Sequence, residues 1–290
     1  EEGVVKDGDT YVCKGFETVA DYKLKCHVFS TIGSHGSLTV EQALMNSCNP
    51  YMIHLALEMG NSRFAYYQSL FGFGKITGID LPGETTGIVY GDRMTTIDAA
   101  CNSFGQTINV NMMQMMAAYC SIINGGMLYQ PHIVKRIESA NGEVVKEYKA
   151  NLVRQTITAS TSKLLRRYLK NTVEEGTAKK AGVTGYSVAG KTGTAQKGDR
   201  KDNKWIISFI GHAPAENPKF AIYVVIDEPY GTTGTSGSSA DVLTLTHNIL
   251  EKLLPYMNVY KDASDEYEDT SSSPDELTVD GIPAGTASSN

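Results

Sequence analysis

The sequence predicts an α+β fold, an antiparallel sheet with packed helices plus a helical lobe, and two observations carry that expectation. Late in the chain three strand-like runs follow one another: Tyr186-Ser187-Val188-Ala189-Gly190 leading into Lys191, then Trp205 to Ala213, then Phe220 to Asp227. The turn-rich Pro214-Ala215-Glu216-Asn217-Pro218 joins the last two, and consecutive strands joined by loops pair antiparallel. The middle of the chain reads instead as helix.

Taken in order, the elements are these. Thr39 opens a helix with a capping box to Gln42, and a second helix starts at Pro50 and stops at Gly60, so residues 39–59 form two helices with a short loop between them. Residues 62–71 form another. Residues 107–123 form a Met-rich helix whose Met112, Met115, Met116 and Tyr119 recur at helical spacing, as core packing does. Lys135 to Tyr148 turns at Asn141-Gly142, a hairpin signal. Thr158 to Ser162 reads as the capped start of a helix running to Glu174, with Lys163, Arg166, Arg167 and Lys170 on a solvated face. Ser238 to Leu254 forms a final amphipathic helix, with Val242, Leu245, Ile249 and Leu253 on one face.

Composition bounds the function. The chain has 290 residues, 41% of them hydrophobic, enough for one large domain over 1–258. Its formal net charge of -6 belongs to the end of the chain: residues 261–290 carry Lys261 against eight acidic residues, leaving the body near neutral. No basic surface for nucleic acid is implied. Residues 259–290 are acidic, Ser-rich and poor in apolar residues, as expected of a disordered tail or a linker. No run of 18 apolar residues is present, so no membrane span is read in this sequence.

Two motifs carry chemistry. Lys191-Thr192-Gly193 lies on the first of the three strands, and Lys-Thr-Gly accompanies Ser-x-x-Lys and a Ser-Asp-Asn triplet in class A β-lactamases and penicillin-binding proteins. Ser47-Cys48-Asn49 sits on the loop between the first two helices and supplies the middle element. The chain's Ser-x-x-Lys match, Ser160-Thr161-Ser162-Lys163, falls between the other two motifs and on an exposed helix start, so it is rejected as the nucleophile. Five cysteines form a second signal. Cys13, Cys26 and Cys48 fall within the first fifty residues near His27 and His35. That grouping fits either a disulfide with spare thiols or a Cys3His zinc site. Cys101 and Cys120 read as buried thiols.

Further segments extend the pattern: Phe71-Gly72-Phe73-Gly74, Thr77-Gly78-Ile79-Asp80-Leu81-Pro82-Gly83-Glu84, Phe104-Gly105-Gln106, Asn124-Gly125-Gly126 before Pro131, and Glu175-Gly176-Thr177-Ala178 ahead of Gly190-Lys191. With both motifs, they make the chain resemble the transpeptidase domain of class B penicillin-binding proteins, of the elongation or sporulation type, from Glu1 to about Tyr256. The resemblance implies the penicillin-binding/β-lactamase-like fold and a two-step acyl transfer from D-Ala-D-Ala stem peptides of peptidoglycan, stalled by β-lactams. It also implies that the Ser-x-x-Lys helix precedes Glu1, so that these residues alone are inactive and act with the upstream part of the polypeptide. Lys191 then faces the substrate carboxylate and keeps the neighbouring catalytic lysine neutral, and Ser47 relays a proton to the leaving amine. Asn49 orients the substrate amide. Thr192 and Thr194 bind the carboxylate, Gly193 clears the strand edge, and the Thr194 N-H helps form an oxyanion hole.

No cofactor is implied for catalysis, whereas a structural zinc is: elongation-type relatives hold zinc with ligands equivalent to Cys13, Cys26, His35 and Cys48, which favours His35 over His27. A membrane glycosyltransferase partner and an extracytoplasmic position anchored by an N-terminal segment are likewise implied. Alternatives with the same motifs are a β-lactam-sensing receptor domain, a D-Ala-D-Ala carboxypeptidase or β-lactamase, and a partner-binding pseudoenzyme.

Overall fold

A computed structural model describes residues 1–198, 204–229 and 238–262. Four short strands open the chain: β1 (Thr10–Cys13), β2 (Phe16–Val19), β3 (Tyr22–Lys25) and β4 (Gly36–Thr39). The helical lobe follows, with α1 (Val40–Met45), α2 (Asn49–Met59), α3 (Asn61–Leu70), α4 (Thr96–Ser103) and α5 (Met112–Ile123). Then come β5 (Met127–Gln130), β6 (Arg136–Glu138), β7 (Val144–Glu147), β8 (Asn151–Gln155) and α6 (Ala159–Glu174). The last unit is β9 (Ala189–Lys197), β10 (Lys204–Ala213), β11 (Phe220–Asp227) and α7 (Ala240–Tyr256).

The three predicted strands form one antiparallel sheet in the order β11-β10-β9, with Ile210 opposite Lys191 and Ser208 opposite Gly193. β9 is therefore an edge, and the Lys-Thr-Gly motif lies on it. One face buries Ile207 and Phe209 against Val242, Leu243, Leu250 and Leu254 of α7. On the other side Tyr119 and Ile123 of α5 and Leu169 of α6 pack against Ala189, Ile210 and Ala221.

Local rules account for the helix starts. Thr39, Thr95 and Asn111 each close a capping box, with Gln42, Asp98 and Gln114 returning the bond. Thr158 caps α6 by accepting from the Thr161 N-H. The hairpin at Asn141-Gly142 forms as expected between β6 and β7.

Several expectations shift. The Met-rich helix starts at Met112, which is itself exposed; the buried positions of α5 are Gln114, Ala118, Tyr119, Ser121 and Ile123. On α7 the buried line is Val242, Thr246, Leu250 and Leu254, while Leu245 is exposed. Steps of three and four both fit a helical repeat, so the sheet it meets, not the pattern, selects the face. Cys101 and Cys120 are only half buried. Packing continues past residue 258, since Val259 is buried and the Asp262 N-H donates to the Gly185 carbonyl. The remaining tail, 263–290, lies outside the described residues.

His212 is a buried polar anchor on β10 itself. It is fully enclosed, accepts from the Tyr119 hydroxyl at Nδ1 (2.8 Å) and donates from Nε2 to the Ala215 carbonyl (3.1 Å). Burial pushes its pKa down to about 4. Its contribution to stability is complete above the unfolded value near 6.5. Between there and about 4 only the unfolded chain binds the proton, so stability falls by on the order of 3 kcal/mol. Urea midpoints at pH 7 and pH 5 should therefore separate in the parent and separate less in His212→Phe.

Candidate active site and metal centre

Ser47 and Lys191 are 144 residues apart in sequence, and the Lys191 ammonium donates to the Ser47 hydroxyl. This contact joins the edge of the sheet to the helical lobe. Lys191 also reaches the Thr192 carbonyl (3.2 Å) and hydroxyl (3.3 Å). Among the described residues it has no carboxylate partner. The residue is partly exposed, but its amino group is enclosed, and that desolvation pushes the pKa down to about 8.

The backbone explains how Ser47 gets there. It sits at φ 52°, in the left-handed region, after α1 ends in bonds from Asn46 N-H to Gln42 O and from Cys48 N-H to Ala43 O. The chain reverses sharply, so Ser47 faces the sheet while Cys48 is fully buried on the other side. Asn49 is turned another way: its amide donates to the Lys25 carbonyl (3.3 Å). Thr192 is half buried and Thr194 exposed on the open strand edge. A Cβ on Gly193 would stand 2.5 Å from the Ser208 hydroxyl, which would have to rotate away to admit it.

Ser160 is far from this site. Its hydroxyl meets that of Thr158 (2.9 Å) at the start of α6, whereas the Lys191–Ser47 contact adjoins Thr177, beyond the other end. A helix of 16 residues separates the two, on the order of 24 Å at 1.5 Å per residue.

Behind Ser47, Cys13, Cys26, His35 and Cys48 converge with their ligand atoms within 4.8 Å of one another. The thiols are buried and free. His35 Nδ1 lies 3.5 Å from the Cys26 sulfur and 3.9 Å from that of Cys13. Hydrogen bonding from the Cys48 thiol holds Cys26 well below the ordinary thiol range and pushes Cys48 up in turn. His27 is outside the cluster; its ring donates to the Asn46 carbonyl (2.9 Å).

Sequence reasoning missed Thr177, whose hydroxyl lies 3.3 Å from that of Ser47 and 3.4 Å from that of Thr192. Its only sequence signal is membership of the Glu175-Gly176-Thr177-Ala178 segment. The Thr77–Glu84 segment proves to be loop scaffolding. Glu84 accepts from the Thr77 and Gly78 N-H groups, and Asp80 from those of Ile133 and Val134.

Known proteins share this architecture. The family model described as penicillin binding protein transpeptidase domain matches residues 1–251. The chain belongs to that family. It is 39% identical over 264 residues to stage V sporulation protein D of Bacillus subtilis, covering 89% of this chain and 40% of the relative. To the peptidoglycan D,D-transpeptidase FtsI of Escherichia coli K12 it is 32% identical over 248 residues, covering 83% and 40%. The crystal structure of penicillin binding protein 3 from Mycobacterium tuberculosis complexed with ampicillin superposes with a TM-score of 0.80 at 28% identity, covering 91% of this chain and 60% of that one. This transpeptidase-family chain thus spans about two-fifths of the length of those curated relatives.

A lysine that titrates near 8 has a measurable consequence. NMR titration of this chain with labelled lysine side chains, between pH 6 and 10, should find the Lys191 signal, assigned by its loss in Lys191→Ala, losing its charge as pH rises through about 8.

Proposed function

We propose that this chain forms part of the catalytic domain of a peptidoglycan D,D-transpeptidase, which cross-links stem peptides through a serine acyl-enzyme and is acylated by β-lactams. The Lys191–Ser47 contact carries the reading, because it unites two of the three motifs the chemistry requires. The stem peptide lies along the open edge of β9, main chain against main chain, with its terminal carboxylate toward Lys191, Thr192 and Thr194. The enclosed ammonium has hydroxyl and carbonyl partners but, among the described residues, no counter-ion, so an arriving carboxylate supplies the missing charge. Ser47, already accepting from Lys191, hands its own proton to the leaving nitrogen and takes one from the lysine. Asn49 serves the substrate amide once its bond to Lys25 is released, and the Thr194 N-H donates to the oxyanion.

The acylating serine comes from the upstream part of the polypeptide, since Ser160 stands at the wrong end of α6. By the same family reading, the whole protein is membrane-anchored outside the cytoplasm and works with a glycosyltransferase. The full-length protein should label with a fluorescent penicillin, and the 290-residue chain should not. Labelling of the shorter chain at Ser160 would reverse the motif assignment. In the full-length protein Lys191→Ala should slow acylation roughly 30-fold to 1000-fold, the loss of one charged contact in a desolvated site. A long-lived adduct separates this function from a hydrolytic β-lactamase.

We further infer that Cys13, Cys26, His35 and Cys48 hold one structural zinc ion. Three thiols and an imidazole are the donors zinc prefers, and Zn–S bonds of about 2.3 Å place tetrahedral ligands about 3.8 Å apart. The 3.5 and 3.9 Å separations around His35 suit that tetrahedron. Four protein ligands leave no open position, so the role is to brace the loop bearing Ser47 rather than to activate water. Elemental analysis of protein purified without added metal should find about one zinc per chain. Chelation should lower both Tm and, in the full-length protein, the acylation rate. A Cys13–Cys26 disulfide in metal-free protein would overturn the assignment.

A further inference from the structure

Proton counting around Lys191 leaves one hydroxyl to be explained. An ammonium has three donors and no acceptor. All three have acceptors: the Ser47 hydroxyl, the Thr192 carbonyl and the Thr192 hydroxyl. Ser47 therefore accepts from Lys191, and its own O-H must point elsewhere. Among the described residues the remaining partner beside it is Thr177 Oγ1, 3.3 Å away, which in turn lies 3.4 Å from Thr192 Oγ1. Lys191, Ser47, Thr177 and Thr192 thus close a ring. The two Thr177 contacts are long for hydroxyl pairs, and such bonds tighten when substrate fills a site.

The backbone holds Thr177 in that ring. Its N-H donates to the carbonyl of Met45, the last residue of α1, two residues before Ser47. Gly176 allows the approach: a Cβ there would stand 2.8 Å from the Met45 oxygen and 2.9 Å from the Thr172 Cα. Ala178 is fully buried in the core beneath the sheet, and its N-H donates to Thr172 O. Residues 176–178 are consequently pinned between the element that presents Ser47 and the strand that presents Lys191.

We propose that Thr177 is a positioning residue of the acyl-transfer site, whose hydroxyl oxygen accepts a hydrogen bond from the Ser47 O-H at rest and sets the spacing between the Ser47 and Thr192 oxygens. This rests on the transpeptidase reading. When the leaving nitrogen arrives, the Ser47 O-H turns from Thr177 to it. The Ser47 O–H bond breaks as the N–H bond forms, and a proton moves from Lys191 to the Ser47 oxygen, leaving that lysine neutral. Thr177 gains and loses nothing in the balance; it orients the serine before the transfer and supports its oxygen during it.

The test uses the full-length protein with Thr177→Val, Thr177→Ser and Thr177→Ala, measured by stopped flow with a fluorescent penicillin so that noncovalent affinity and the acylation step separate. Thr177→Val keeps the shape and removes the hydroxyl. Its acylation step should slow about tenfold, the loss of one hydrogen bond, with Kd changed less than about threefold. Thr177→Ser should return the step to within about threefold of the parent. An unchanged Thr177→Val, or a serine variant as slow as the valine one, overturns the inference, since packing alone would then account for Thr177. Should Thr177→Val not fold, Thr177→Ala is read against Thr177→Ser by the same criteria. Lys191→Ala run in parallel separates the two levels. If it acylates at the parental rate, the transpeptidase reading fails; if it is slow while Thr177→Val is not, only the role of Thr177 fails.

Discussion

The structure turns on the contact between the Lys191 ammonium and the Ser47 hydroxyl. Enclosing an ammonium away from water is costly unless its protons are satisfied, and here two hydroxyls and a carbonyl satisfy them without neutralising the charge. An internal carboxylate would neutralise the ammonium and remove its attraction for any external anion. The lowered lysine pKa is the visible sign of that arrangement. Both flanking elements are rigid: β9 is paired along its length to β10, and α1 is pinned by its capping box and packed against α6.

The loop that carries Ser47 serves two surfaces at once. Its left-handed serine faces the strand, while the next residue, Cys48, is sunk among two thiols and an imidazole. A disturbance on one side is transmitted to the other through a single peptide unit. The fixed position of Ser47 therefore depends on what holds Cys48. Thr177 adds a third tie, from the connection between α6 and the sheet. Three separate regions of the chain converge on one hydroxyl and fix its position in advance of any ligand.

Other family segments act at a distance from this chemistry. Glu84 and Asp80 spend their charge on backbone N-H groups of loops. Desolvation raises the Glu84 carboxyl, but bonds from Thr77, Gly78 and Asn111 outweigh it and keep the group below the usual range. Asp80 is held low by the N-H groups of Ile133 and Val134. These carboxylates tie loops together.

The sequence by itself determined the features whose physics is local. Strand runs, the helix caps at Thr39 and Thr158, the Asn141-Gly142 turn and the two motifs all depend on neighbours a few residues away, and each lies where the pattern puts it. The family resemblance, rather than any spacing, singled out Cys13, Cys26, His35 and Cys48, whose ligand atoms lie within 4.8 Å of one another. The strands of residues 10–39 and helix α4 escaped notice, being too short for a periodic pattern to declare itself. Which face of α5 and α7 turns inward was decided by the sheet, because a helical repeat is satisfied equally by several lines of residues. Tertiary structure alone set the direction of the Asn49 amide, the enclosure of Lys191 and the place of Thr177. Those depend on contacts between segments more than a hundred residues apart, or on side-chain rotations that no spacing encodes.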